Sequence, residues 1–264
     1  MELTDTHCHL YFEHFDQDRE AVITRAIEVG LTRILVPGID LASSTAAVEL
    51  AEKYEQVYAA VGIHPNSANT WQDSTLKELR SLANRVKVVA IGEIGLDYYR
   101  DQSPRYVQEQ VFRHQLALAA DLNLPVIIHN RQATRDVVNT LSNWQIELKN
   151  SGSDLQNRPG VLHSYSGNIM QAKQMIAQNF YFGISGPVTF KNAVDLRETV
   201  NELNIRTILI ETDAPFLSPH PHRGKRNEPG QVRLVAEKIA ELHALPVSEV
   251  AKITADNASR LFDW

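Results

Sequence analysis

The segment Leu3-Thr4-Asp5-Thr6-His7-Cys8-His9 combines a short run typical of a β-strand with two histidines. Other short apolar runs along the chain are also followed by histidines or carboxylates. Side chains two residues apart on a strand project to the same face, so His7 and His9 are expected to point together. Paired imidazole nitrogens are common ligands of a divalent metal ion. Because His-x-His also arises by chance, its meaning depends on the residues at the ends of the other strands.

Eight short apolar runs, most of them rich in β-branched residues, are predicted to form strands. Their nearly continuous apolar character is typical of parallel strands that are buried on both faces. The predicted strands are Leu3–His7, Arg33–Val36, Val57–Val61, Val86–Ile91, Val126–His129, Val161–His163, Phe180–Ile184 and Thr207–Glu211.

Amphipathic segments between and after these runs are predicted to form helices. In Arg135–Trp144, for example, Val137, Val138 and Leu141 lie on one face at helical spacing. The repeated alternation predicts a (β/α)8 TIM-type barrel, with residues 1–264 forming a single domain. A doubly wound open sheet is the alternative, but no Gly-x-Gly-x-x-Gly turn follows the first strand. The predicted helices are Ala21–Val29, Tyr106–Leu122, Arg135–Trp144, Ala193–Leu203, Pro229–His243 and Val247–Leu261.

The composition is that of a globular protein, with 264 residues of which 43% are hydrophobic and 22% are charged. The net charge of −6 argues against a protein whose whole surface binds nucleic acid, because such proteins are usually basic. It is compatible with a local phosphate-binding site. Cys8 is the single cysteine, so no internal disulfide forms. With no secretory signal pattern and no apolar run of about 18 residues, we predict a cytoplasmic protein that does not enter membranes.

Ionisable side chains follow most of the predicted strands. In enzymes built on (β/α)8 barrels, the catalytic residues lie at the C-terminal ends of the strands. Each residue alone has an ordinary explanation, because buried histidines often only satisfy hydrogen bonds and strand-end carboxylates often cap helices. Together they exceed the needs of one tetrahedral ion, and a carboxylate among them could bridge two ions. The residues are His7, His9, His64, Glu93, Asp97, His129, His163, Glu211 and Asp213.

Seven motifs, in the same order along the chain, resemble those of the TatD-type metal-dependent hydrolases. This family belongs to the amidohydrolase-like barrels and is commonly described as deoxyribonucleases. The resemblance covers essentially the whole chain and extends to its ending, Asn257–Phe262. The motifs are Asp5–Leu10, Gly62–Pro65, Ala90–Tyr98, Pro125–His129, Val161–His163, Glu211–Pro215 and Arg223–Pro229.

The resemblance implies two divalent metal ions at the mouth of the barrel, and the mixed nitrogen and oxygen ligands suit Mg, Mn, Zn or Co. Glu93 would bridge the ions, and Asp213 would also orient or deprotonate the attacking water, which makes these two the implied catalytic residues. Besides Glu93, the implied ligands are His7, His9 and Asp213 for one ion, and His129 and His163 for the other.

The resemblance also implies substrate contacts on the loops. The chain departs from the family at Gln132, where the family usually has aspartate, and this changes what Arg131 can pair with. It departs again after His163, where Ser164-Tyr165-Ser166 replaces the usual Cys or Ser, Phe, then Thr or Ser. The implied substrate-binding residues are His64, Arg131, Arg223, Lys225 and Arg226.

The implied function is that of a 3′–5′ exodeoxyribonuclease whose partner is DNA, with RNA as a further substrate class and no membrane or obligate protein partner. A single-strand binder would need aromatic stacking platforms, for which Tyr98, Tyr99, Tyr165 and Phe216 are candidates. One alternative is a metallohydrolase of a non-nucleic-acid ester, amide or aminoacyl ester on the same barrel. A non-catalytic binding barrel is the other, although so many buried ionisable groups are costly without a metal.

Overall fold

The computed structural model describes residues 1–264, and its eight strands form one sheet in which each strand pairs in parallel with the next along the chain. The predicted (β/α)8 barrel is therefore confirmed. None of the helices combines the length and the apolar character that spanning a membrane would require. The strands are β1 (Leu3–Asp5), β2 (Leu31–Pro37), β3 (Val57–Val61), β4 (Val88–Asp97), β5 (Val126–Arg131), β6 (Gly160–Leu162), β7 (Tyr181–Ile184) and β8 (Ile208–Ile210).

Nine α-helices surround the strands, and three of them lie outside the segments predicted from the sequence. Two of these three begin with capping boxes, at Asp40 with Ser43 and at Asn168 with Gln171, a signal that apolar periodicity alone does not register. The helices are α1 (Arg19–Glu28), α2 (Leu41–Lys53), α3 (Thr75–Ala83), α4 (Arg105–Leu122), α5 (Thr134–Ser151), α6 (Ile169–Ile176), α7 (Val194–Glu202), α8 (Val232–His243) and α9 (Val247–Phe262). The helices outside the prediction are α2, α3 and α6.

Strand β4 differs most from its predicted bounds. The predicted strand began at Val86, but this side chain is 79% exposed and Lys87 has a φ of 67°, so pairing starts only at Val88. The strand then continues past Ile91 to Asp97, and all ten of its residues are buried. Glu93 consequently lies within a strand that is covered on both faces, rather than in a loop after it.

The barrel closes between β8 and β1 through main-chain hydrogen bonds. The Thr6 amide donates to the Ile210 carbonyl at 3.1 Å, and the His9 amide donates to the Ala214 carbonyl at 2.8 Å. Cys8 forms an isolated parallel bridge with Ala214, and its side chain is fully buried without a disulfide. The two chain segments that follow β1 and β8 are therefore held side by side.

A buried carboxyl group strengthens this seam. Asp5 accepts hydrogen bonds from the Thr212 amide at 2.9 Å, from the Thr212 hydroxyl at 2.5 Å and from the His7 amide at 3.2 Å. Burial raises the pKa of Asp5 to about 8, although these hydrogen bonds oppose the shift. The Asp213 amide donates in turn to the His7 carbonyl at 2.8 Å, so the seam fixes His7 and Asp213 relative to each other.

Helix α9 covers the end of the barrel at which the strands begin. Asn257 donates through Nδ2 to the carbonyls of Ile205 and Ile208, at the start of β8. The Leu261 carbonyl accepts from Arg158, which precedes β6. The side chains that pack together here are Leu35, Ala60, Val89, Ala90, Ile127, Val161, Leu209, Ala258, Leu261 and Phe262.

Gly95 in β4 lies against the main chain of β5, where a larger residue would not fit. Its φ is +141°, and a Cβ at this position would lie 2.0 Å from the His129 carbonyl oxygen in β5. Gly152 offers a matched comparison, because its φ is +69° but a Cβ added there would meet no atom within 4 Å.

Gly95→Ala is expected to lower the free energy of unfolding by about 3 kcal/mol, since backbone strain and overpacking add together. Gly152→Ala should cost only the backbone strain, about 1 kcal/mol. Urea unfolding of both variants and the wild type measures the difference. Equal losses of stability in the two variants would contradict a clash at Gly95.

Candidate metal centre

Glu93 lies at the centre of the barrel mouth, and one of its oxygens faces the histidines that follow β1. Glu93 Oε2 lies 3.4 Å from His7 Nε2 and 3.7 Å from His9 Nε2. The two Nε2 atoms are 3.2 Å apart. Asp213 Oδ1, from the segment after β8, lies 3.8 Å from His7 Nε2 and 3.4 Å from His9 Nε2. The ligand atoms of His7, His9 and Asp213 thus lie close together, with Glu93 Oε2 beside them.

The other oxygen of Glu93 faces three further histidines. Oε1 lies 2.9 Å from His129 Nδ1, 3.7 Å from His64 Nε2 and 3.9 Å from His163 Nε2. His129 lies in β5, His163 directly follows β6, and His64 follows β3. The structure therefore brings together all six predicted metal ligands, and it adds His64, for which the sequence predicted a substrate contact.

Two of these histidines contact a further side chain, Tyr11 or Asp97, through the ring nitrogen that points away from the centre. His9 Nδ1 lies 2.9 Å from the Tyr11 hydroxyl. His129 Nε2 lies 3.2 Å from Asp97 Oδ2, and the other Asp97 oxygen accepts hydrogen bonds from two loop amides. A partner on the outer nitrogen fixes the ring orientation of a metal-binding histidine and selects its tautomer.

His163 has a buried carboxylate behind it. Its Nδ1 lies 2.8 Å from Glu211 Oε1, and the same oxygen accepts a hydrogen bond from the Ser164 amide at 2.6 Å. The imidazoles of His163 and His7 stack with their centroids 3.5 Å apart. Glu211 follows β8 directly and precedes Asp213 by two residues. This position at a strand end was the feature of the sequence that indicated a role for Glu211 in the centre.

The electrostatics of the centre favour ionised carboxylates. Burial opposes the charge of Glu93, but the neighbouring His64 and His7 hold its pKa well below the usual range. Burial also opposes the charge of Asp213, whose pKa is lowered by the His9 hydrogen bond and adjacent imidazoles. Burial lowers the pKa of His64 to about 3, although the neighbouring Glu93 opposes the shift.

The donor set fits divalent metal ions. His7 Nδ1 is buried without a hydrogen-bond partner, so this ring is not held by the protein through both nitrogens. Imidazole nitrogens together with carboxylate oxygens are suitable ligands for Zn, Mn and related ions. Three groups of residues bring their ligand atoms within 4.8 Å of one another, namely His7, His9 and Asp213; His64, Glu93 and His129; and His7, His163 and Glu211.

The predicted substrate-binding cations other than Arg226 are exposed at the surface. The Arg131 guanidinium lies 4.0 Å above the Tyr99 ring, and the Arg223 guanidinium lies 4.0 Å above the Phe190 ring. Lys225 is exposed on the same loop as Arg223. Their contact with substrate stays a prediction, and the structure leaves their charges open to solvent.

Arg226 has a different environment. Its guanidinium donates to Asp18 at 2.8 Å, to Glu228 at 2.7 Å and to the His14 carbonyl at 2.6 Å. These bonds tie the loop after β8 to the segment before α1. Substrate binding by Arg226 also stays a prediction, and it would require the side chain to share or release these partners.

The comparisons with known proteins agree with this geometry. The sequence model of the family described as TatD related DNase matches residues 4–263. The chain belongs to the TatD family. It is 48% identical over 260 residues to YabD of Bacillus subtilis (strain 168), named an uncharacterised metal-dependent hydrolase, with 98% of both chains covered. The prediction of a metal-dependent hydrolase is thereby confirmed.

Two further relatives of this TatD-family chain cover almost its full length. The protein named 3′-5′ ssDNA/RNA exonuclease TatD from Cronobacter sakazakii is 36% identical over 255 residues, covering 94% of this chain and 93% of its own. The crystal structure of YjjV, a TatD homologue from Escherichia coli K12, superimposes with a TM-score of 0.91 at 32% identity, covering 99% and 98% of the two chains.

Glu211→Gln is expected to weaken divalent-metal binding by about 10- to 100-fold, because the charge behind His163 is lost. Isothermal titration of chelator-treated protein with Zn or Mn measures the affinity. Glu237→Gln, which removes an exposed carboxylate paired with Arg233 on α8, is the matched control and should bind as the wild type does. Identical affinities for all three proteins would argue against Glu211 as a positioning residue.

The Asp18–Arg226 pair is expected to give a pH-dependent part of the stability. The Arg226 hydrogen bonds, helped by Arg25, lower the pKa of Asp18 to about 2. A depressed carboxyl pKa stabilises the folded state above the unfolded value of about 4, and this contribution is lost as the pH falls toward 2. Asp18→Asn should therefore destabilise the protein at pH 6, with a penalty that shrinks between about pH 4 and 2.

Denaturant unfolding at a series of pH values measures this effect. In an Arg226→Gln background, the same Asp18→Asn substitution should produce a smaller penalty with a weaker dependence on pH, because only Arg25 still pairs with Asp18. A penalty that stays constant with pH in the wild-type background would contradict the ion pair as its source.

Proposed function

We propose that this TatD-family chain is a 3′–5′ exodeoxyribonuclease that cleaves phosphodiester bonds with two divalent metal ions. The main support for this proposal is that the two carboxylate oxygens of Glu93 face different sets of histidines. Its Oε2 faces the imidazoles of His7 and His9, whereas its Oε1 faces those of His129 and His163. A carboxylate whose two oxygens face separate sets of donors is suited to bridge two ions.

In this proposal, each ion has its own ligands besides the bridging Glu93. When bound, the ions would neutralise charge on the phosphoryl oxygens and lower the pKa of the attacking water. Mg, Mn and Zn are all compatible with such a mixed ligand set. The proposed ligands are His7, His9 and Asp213 for one ion, and His129 and His163 for the other.

Asp213 is the proposed proton acceptor. Its lowered pKa keeps the carboxylate ionised, and its side chain is 16% exposed, whereas that of Glu93 is 4% exposed. Asp213 therefore reaches the open side of the centre, where a water molecule and a substrate can enter. His9 holds its Oδ1 at 3.4 Å and so orients the carboxylate toward that water.

The nucleic acid substrate is supported by the relatives and by the charges around the mouth. A relative that aligns with 94% of this chain carries the name 3′-5′ ssDNA/RNA exonuclease. Exposed Arg223 and Lys225 lie on the loop that follows Asp213 and could neutralise phosphates of a bound strand. We propose DNA as the main substrate, with single-stranded RNA as a second one.

A 5′-labelled single-stranded oligonucleotide tests the proposal directly. Chelator-treated protein supplied with Mg or Mn should shorten it progressively from the 3′ end, and a blocked 3′ terminus should resist cleavage. Asp213→Asn and Glu93→Ala should each lower kcat by at least about a hundredfold, because the proton acceptor or the bridging ligand is lost. Folding of the variants is checked by circular dichroism.

Asp256→Asn on α9 provides the matched control, since it removes an exposed carboxylate at the opposite end of the barrel. It should cleave as the wild type does. Equal cleavage by wild type and Asp213→Asn would refute the assigned centre. Turnover of esters or amides by the wild type, without cleavage of any oligonucleotide, would replace the nuclease by a different metallohydrolase.

A further inference from the structure

The four aromatic residues considered as stacking platforms separate into two classes. Tyr165 is only 6% exposed, and the Tyr98 hydroxyl is engaged with Asp136 at 3.0 Å. Tyr99 and Phe216, in contrast, are 58% and 48% exposed. An exposed aromatic ring beside a polar centre offers a face on which a nucleobase can stack.

Phe216 lies three residues after Asp213 and belongs to an aromatic row that reaches the metal centre. Its ring centroid is 5.7 Å from that of Phe12, which in turn is 5.2 Å from the ring of His9. His14 packs on the Phe216 ring at 6.1 Å. Only the ring of Phe12 therefore lies between Phe216 and the predicted metal ligand His9.

The backbone of Phe216 is fixed although its ring is exposed. Its amide donates to the Asp213 carbonyl at 2.9 Å. The buried Asn227 donates through Nδ2 to the carbonyls of Phe216 at 2.7 Å and of Thr212 at 2.9 Å. A fixed aromatic ring loses little conformational entropy when a ligand stacks on it, which favours binding.

Tyr99 occupies the corresponding place across the mouth. Its amide donates to Asp97 Oδ1 at 3.0 Å, and the other Asp97 oxygen contacts His129. Arg131 stacks on its ring, adding a cation beside it. Tyr99 follows β4 and Phe216 follows β8, which are four positions apart in a ring of eight strands and therefore on opposite sides.

We propose that the nucleobases on either side of the scissile phosphate stack on Phe216 and Tyr99. This inference rests on the proposed nuclease function and assigns the residues that bind its bases. Stacking on aromatic side chains tolerates every base, which suits an enzyme that removes successive nucleotides. Arg131, whose guanidinium stacks on the Tyr99 ring, would contact an adjoining phosphate.

The test compares two substrates for each protein, a single-stranded oligonucleotide and a base-free aryl phosphodiester. Phe216→Ala and Tyr99→Ala should each lower the ratio of kcat/KM for oligonucleotide to that for the aryl diester by about tenfold or more, mainly through KM. Phe216→Trp should restore the ratio, because it keeps a stacking surface. Ile146→Ala, which removes an exposed apolar side chain from the middle of α5, is the matched control with a wild-type ratio.

A spectroscopic readout separates stacking from a general structural effect. The probe is an oligonucleotide that carries 2-aminopurine at its 3′ end and a phosphorothioate terminal linkage. Its fluorescence should be quenched on binding to the wild type and to Phe216→Trp. It should not be quenched by a variant in which both Phe216 and Tyr99 are replaced by alanine. Wild-type cleavage of the oligonucleotide with unchanged ratios in both alanine variants would overturn the stacking inference alone. Failure of the wild type to cleave any oligonucleotide would overturn the nuclease function and this inference with it.

Discussion

The hydrogen bonds of one buried carboxyl group, that of Asp5, hold together the two edges that close the barrel. They reach the Thr212 amide and hydroxyl on the β8 side and the His7 amide on the β1 side. Removing their acceptor would leave buried donors unsatisfied, at a cost of about 1–3 kcal/mol for each. Three donor side chains, those of His7, His9 and Asp213, lie in or next to this seam, so Asp5 and the main-chain hydrogen bonds of the seam together set their spacing.

The centre in the barrel mouth buries carboxylates whose negative charge the surrounding imidazoles compensate only in part. A bound metal ion would complete this compensation. Glu93 and Asp213 remain ionised in a buried place only because imidazoles surround them. Burying such charges without compensation is expensive, and a mixed set of neutral and protonated histidines compensates them incompletely. The protein thus maintains an arrangement that contributes little to its own stability. Tyr11, Asp97 and Glu211, which contact the ligand histidines from outside the centre, hold these side chains in their orientations.

The strand-end histidines and carboxylates could be predicted from the sequence because they depend on a local rule. Buried parallel strands read as apolar runs, and chemistry follows their C-terminal ends. The partners of Arg226 could not be found in this way, since Arg226 contacts Asp18, which lies more than two hundred positions away in the chain. The bounds of β4 were missed for a local reason, because the left-handed conformation of Lys87 delays the start of the strand.

Helix α9 has a consequence for turnover. Because side chains from six strands and the last turns of this helix fill the far end of the barrel, the interior is not a tunnel. Whatever reaches Glu93 enters through the mouth and leaves through it as well. Reactant and product therefore use the same opening, so product must leave through the mouth before the next reactant can enter.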